Sequence, residues 1–429
     1  MPGPQGLRLC EGCGVIVLRL LGLLAGLVLT FGTLGSVVQT VIVPRPIASR
    51  LTGVIASVVL GVISKLARTR ADYLRRDAIL AQGAPLFLVV RLVVWIGLLV
   101  LGFTLLFWGS SVGDLAASLR LSASSILPLG LTHATSGLAT AIAFLESASG
   151  VIVVALQISY LPSLYSSFNR RETLVTMLDS SSGSPPWGPE ILARHALIDN
   201  QDHLADLYHD WEQWAADIAE SHTSYATLLY FRSPEPRTSW ILALLACMDA
   251  ASMQLALNPL TAPASARPFL RMGIVCLRSV AGVTNIPFTS DPLPDDPIEL
   301  TAEEFQEAVE RVLAVGWEPE RSGEDAWPHF RGWRVNYEGT AYQLASLIDA
   351  PPGPWSGTRR GQLESSMIPL RPPHRAPARE RDLLLKVTRK RQAYRRAGGV
   401  TASPQVEPSE PPSDQAPDPA PPADSKGPV

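Results

Sequence analysis

The feature that most constrains this chain is the order of two long apolar runs around a short, unusual connection. Residues 86–108 are apolar except for Arg91 near the start. At about 1.5 Å per residue, that run is long enough as a helix to cross a hydrocarbon core of about 30 Å. Residues 136–161 form a second such run with one charge, Glu146, and exit through Tyr160, Pro162 and Tyr165 to Asn169, Arg170, Arg171 and Glu172. Between them, residues 112–135 carry Asp114 and Arg120 as their only full charges and pass through Pro128, Leu129, Gly130, Leu131 and Thr132. A connection this apolar does not read as a solvated loop. Non-helical backbone is tolerated at membrane depth only where it lines a cavity or is buried in protein. The expected plan is therefore span, folded-back segment, span.

A third apolar run precedes these. Residues 15–43 are interrupted only by Arg19 and Gln39, and Gly22 and Gly26 form a small-xxx-small pair that admits close helix packing. A cleaved signal peptide is the alternative, but the run is long for one and no A-x-A site follows it. Residues 44–85 then carry Arg45, Arg50, Lys65, Arg68, Arg70, Arg75 and Arg76 against Asp72 and Asp77. The positive-inside rule makes this segment cytoplasmic, which puts the amino terminus outside and Arg170 and Arg171 inside. Within it, residues 51–66 are short for a crossing and read as a helix lying on the inner leaflet. The expectation is a multi-pass protein of the cell membrane.

The remainder is polar. Ser180 to Pro186 reads as a linker. Residues 186–350 follow as an all-α cytoplasmic domain. Pro189 suits the first turn of a helix. Leu204, Leu207, Trp211, Trp214 and Ile218 form an amphipathic stripe, and Thr301 to Glu304 spells a capping box. Residues 239–257 are apolar enough to suggest another span, but Asp249, Ser252 and Gln254 favour a buried helix of a water-soluble domain. Residues 351–429 read as a tail, basic over 371–396 and then proline-rich, acidic and disordered. A basic amphipathic helix on anionic lipid and a solvated tail are the two readings of 371–396. The net charge of −3 offers no basis for a nucleic-acid partner.

The run 121–190 resembles the bacterial potassium-channel family of two-span, pore-loop subunits with a helical cytoplasmic extension. Ser124 and Ser125 stand at the end of the pore helix, Leu129-Gly130-Leu131 at the filter, and Gly150 at the inner-helix hinge, twenty residues after Gly130. The exit is Arg170-Arg171-Glu172. Together with the amino-terminal apolar run, the resemblance implies an all-α membrane protein of three transmembrane helices with a re-entrant pore loop between the second and third. It further implies a potassium or other monovalent cation in the pore, and assembly as a homo-tetramer or as a hetero-oligomer with a related subunit.

The filter positions depart from the Thr-x-Gly-Tyr/Phe-Gly that the family carries. Pro128 replaces the threonine ligand, Leu131 the bracing aromatic residue, and Thr132 the second glycine. This argues against potassium selectivity and opens a second reading, a non-conducting membrane scaffold or sensor that keeps the channel fold.

Glu146 is the main candidate for a pore-cavity residue, because an intramembrane carboxylate is costly unless paired or wetted. Its alternative is a structural pair with Arg120 or a serine. Gly150 reads equally as hinge or close-packing point, and Arg91 as a snorkelling cation. His203, Asp206, His209 and Asp210 form a solvated helix face more readily than a metal site. Cys10 and Cys13 have CxxC spacing without the second pair a zinc site needs. No nucleophile elbow, phosphate loop or paired catalytic carboxylates occur, so an enzyme is not expected.

Overall fold

The computed structural model describes residues 4–43, 49–110, 113–126 and 136–357. The tail readings beyond residue 357 lie outside these, as does the segment from Pro128 to Thr132. Every regular element among the described residues is helical. Five helical segments are long and apolar enough to cross a membrane: Gly14–Val41, Arg50–Arg68, Tyr73–Gly109, Gly137–Ser182 and Trp240–Leu257.

Three of these build a bundle. Helix α1 (Pro4–Val41) packs along α4 (Gly83–Gly109), and glycines make the approach possible. A Cβ on Gly26 would stand 2.8 Å from the Gly102 carbonyl, and one on Gly22 would meet the Trp108 ring at 2.8 Å. The small-xxx-small pair is thus used, against α4. Gly22 faces Trp108 while Val37 joins Trp95 and Leu99, so the two helices are antiparallel. Helix α6 (Gly137–Ser182) also opposes α4, with Val153 near Trp95 and Leu164 near Ala84 and Phe87.

Helix α2 (Arg50–Arg68) does not double back. Ser49 and Thr52 at its start bond Ser36 and Thr40 near the end of α1, whereas Leu60 and Ile63 reach Gly83 at the start of α4. It runs on in the direction of α1, with Ile55, Val59 and Ile63 buried and Val54, Val58 and Val62 exposed. Large apolar side chains are exposed all along the bundle, including Leu24, Val28, Phe31, Val93, Phe144 and Ile158. A water-soluble surface does not carry a patch of this extent.

The second body is a helical domain around α9 (Trp240–Leu257), every residue of which is buried. Helices α7 (Gly188–Leu197), α8 (Leu204–Ser224), α10 (Ala266–Val283), α12 (Gly323–Arg334) and α13 (Glu338–Leu347) enclose it. Its apolarity therefore serves the core of this domain. Helix α11 (Ala302–Leu313) opens with the expected capping box and buries Phe305, Val309 and Val312, while Leu313 stays 41% exposed. Helix α12, which precedes the last helix α13, carries no marked signal in the sequence. Pro328 and the charges of α12 obscured it, yet Ser322 caps it through the Asp325 amide.

Two boundaries differ from expectation. Helix α6 continues through Pro162 to Ser182, so the second span and its exit are one rod and the linker is confined to a few residues. The domain also extends past residue 350. Trp355 is buried against Trp187 and Phe330, and its carbonyl accepts from Arg334 and Tyr342.

Candidate functional site

Between α4 and α6 sits a short helix, α5 (Leu115–Ser125), capped by Asp114, whose carboxylate accepts from the Ala117 amide. Its Leu121 and the following Ile126 enter the same apolar cluster as Trp95, Leu99 and Val153. Ser122 reaches the Val100 carbonyl at 2.9 Å, nine residues before the end of α4. Helix α5 therefore lies alongside α4 rather than over its end.

Glu146 is fully buried here and meets Ser122 at 2.5 Å. Within one chain its carboxyl group faces α5 and not open space, so it braces the short helix against α6. Ser122 has one hydroxyl proton and two acceptors, Val100 O and Glu146 Oε1. Both contacts are hydrogen bonds at once when Glu146 carries a proton and donates it to Ser122 Oγ. Gly150 lies one turn further on. A Cβ there would fall 2.3 Å from the Ile126 carbonyl. Its observed role is to let the end of α5 touch α6, and the helix passes through it unbroken.

Arg91 does not snorkel. It is fully buried in the bundle, donates to Gln157 Oε1 at 2.8 Å, and lies over the rings of Trp95 and Tyr160 at 4.8 and 5.0 Å. Aromatic faces and an amide dipole replace the headgroups. Gln157 held no periodicity signal that marked it as a partner.

The two exit arginines separate in role. Arg170 is exposed and pairs with Asp217 of α8 at 2.9 Å. Arg171 has no exposed surface. It donates to Glu172 at 2.7 Å, to Leu228 O at 2.8 Å and to Phe231 O at 2.7 Å, with His222 Nε2 at 3.2 Å. The Arg171 carbonyl in turn accepts from Trp214 Nε1. The same residue that ends the apolar rod thus clamps the 3-10 turn Ala226–Tyr230 and helix α8.

A second tie joins the basic segment to the domain. Arg232 pairs with Asp77 of α3 (Tyr73–Leu80), bonds the Tyr73 hydroxyl, and donates to the Ile348 and Asp349 carbonyls. Sequence reasoning missed this set because its members lie over a hundred positions apart. The His203 to Asp210 face stays separate from both ties, and no cluster of three or more metal-ligating side chains occurs among the described residues. The side chains of Cys10 and Cys13 lie outside the description.

Comparison with protein-family models, with curated proteins and with solved structures returned no match.

Proposed function

We propose that the chain is a multi-pass membrane subunit of pore-loop plan, in which α1, α4 and α6 cross the bilayer and α5 with residues 127–135 forms a re-entrant loop. The observation that carries this reading is the seat of α5. It lies against both α4 and α6, its last carbonyl rests on Gly150, and it leads into the segment holding Gly130. A short helix at that depth, followed by proline and glycine, is tolerated when subunits surround the segment and line a path with it. One chain supplies one such segment, so the reading calls for several copies, or a related subunit, about an axis. Potassium or another monovalent cation is the candidate permeant species. Helix α2 carries the chain on from the inner end of α1, and the α7–α13 domain lies with the basic segment on the cytoplasmic side. Arg171 then transmits the state of that domain to α6.

A second reading, a non-conducting scaffold or sensor, is favoured by the composition Pro128-Leu129-Gly130-Leu131-Thr132, which supplies neither the threonine ligand nor the second glycine. The deciding experiment is potassium flux from liposomes containing the purified full chain, with Gly130→Val beside it. Barium-sensitive flux that the variant abolishes supports the pore. Silence from a correctly inserted oligomer supports the scaffold, and isolation of the native complex then shows whether a second kind of subunit is present.

A further inference from the structure

The cleft between α2 and the helical domain has a volume of about 560 Å³. One wall is apolar, formed by Leu60, Ile63 and Leu347 among others. The opposite wall ends in the amino terminus of α9. That helix is 18 residues long, and its cap residue Ser239 makes no side-chain bond to the first-turn amides. Those amides have no partner within the helix, and they concentrate the positive end of its dipole.

Three further observations point to a ligand site. Ser239 is 4% exposed, lines the cleft, and its Oγ has no hydrogen-bond partner among the described residues. The buried Oγ of Ser233 and Nε1 of Trp240, two more lining residues, are equally unpartnered. Buried donors without partners are rare because each costs its full desolvation. Two cations also line the space. Arg232 is held by Asp77 and the Ile348 and Asp349 carbonyls, while Arg68 is exposed and shows no ion pair among the described residues. The lining carboxylate, Asp349, lies 3.6 Å from Arg76.

We propose that this cleft binds a phosphate-bearing molecule with an apolar body, its phosphate at the α9 terminus between Ser239 and Arg68. The chemistry follows from the parts: helix amides, hydroxyls and an arginine take the anion, and the aliphatic wall takes the rest. The source is either the aqueous phase, as a nucleotide, or the inner leaflet, as an anionic phospholipid headgroup. A ligand seated there touches α2 and residues 229–233, whose Phe231 carbonyl is held by Arg171, so occupancy stiffens the junction between bundle and domain. The site is independent of whether the chain conducts.

The test uses the full chain in phosphatidylcholine nanodiscs. One arm measures ATP and inorganic phosphate by equilibrium dialysis. The other dopes the discs with phosphatidylglycerol and counts retained lipid by native mass spectrometry. Two variants accompany both arms, Arg68→Gln and Ser239→Ala; Ser239 makes no cap bond, so alanine removes the hydroxyl without breaking one. The expected result is saturable binding in at least one arm, weakened about tenfold or more by each variant at an unchanged melting temperature. Binding in the dialysis arm alone identifies an aqueous ligand, and in the lipid arm alone a headgroup. Absence of saturable binding in both arms, or equal binding by wild type and both variants, overturns the proposal.

Discussion

Ser122 Oγ and Glu146 Oε1 lie 2.5 Å apart, and through that contact the 46-residue helix α6 holds the 11-residue helix α5. The other carboxyl oxygen of Glu146 is buried and has no hydrogen-bond partner among the described residues. Substituting Glu146→Gln keeps the shape and a donor toward Ser122. Its stability is expected within about 1 kcal/mol of wild type, read as thermal unfolding in detergent. Glu146→Lys buries an ammonium without a counter-ion, and loss of the monodisperse peak in size exclusion is expected.

Gly150 has no room for a side chain. A methyl group there meets the Ile126 carbonyl, which is backbone and moves only with the whole end of α5. Gly150→Ala is expected to destabilise by about 1–3 kcal/mol, as overpacking does, despite alanine's higher helix propensity. If the glycine served only as a hinge in an open space, alanine would be neutral or stabilising in the same measurement.

Adjacent arginines give opposite predictions. Arg170→Ala removes an exposed pair with Asp217 and is expected to cost under about 1 kcal/mol. Arg171→Met leaves the Leu228 and Phe231 carbonyls without their donor and Glu172 without its counter-ion. A loss of about 3–5 kcal/mol is expected, with faster hydrogen exchange in residues 226–233.

His222 supplies a pH dependence. It is buried against the Arg171 guanidinium, and burial together with that positive neighbour pushes its pKa well below the usual 6.5. The unfolded chain therefore takes up a proton that the folded one refuses. Stability is lost as pH falls below about 6.5 and the loss grows toward the depressed native value. Asp249, raised to about 6 chiefly by burial, works with the opposite sign. The readout is thus the difference between wild type and His222→Gln, whose amide oxygen still accepts from Arg171. Melting temperatures should converge above pH 7 and the variant should fall less steeply between pH 6.5 and 5.

What the chain order determined by itself was local and periodic. Apolar runs of bilayer length, the Gly22/Gly26 pair, the capping box at Thr301 and the stripe from Leu204 to Ile218 are properties of neighbouring residues. Each reappears where its period placed it, with Leu207 only partly buried. The buried character of α9 was legible for the same reason, since Asp249, Ser252 and Gln254 demand partners that lipid does not offer. Tyr337 and Tyr208 provide them, with Arg334 pairing Asp249.

Partnership across the fold was decided only by tertiary structure. Nothing near Arg91 in the chain announces Gln157, and nothing near Arg232 announces Asp77; burial in the assembled bundle and domain is what makes each pairing obligatory. Arg170 and Arg171 read alike in the sequence, yet one faces solvent and the other the junction, because α6 runs on without a break and turns successive residues by about 100°. The pattern of apolar residues sets which elements form. Which polar groups they enclose together depends on how those elements pack, because a buried charge is tolerated only where a partner arrives from elsewhere in the chain.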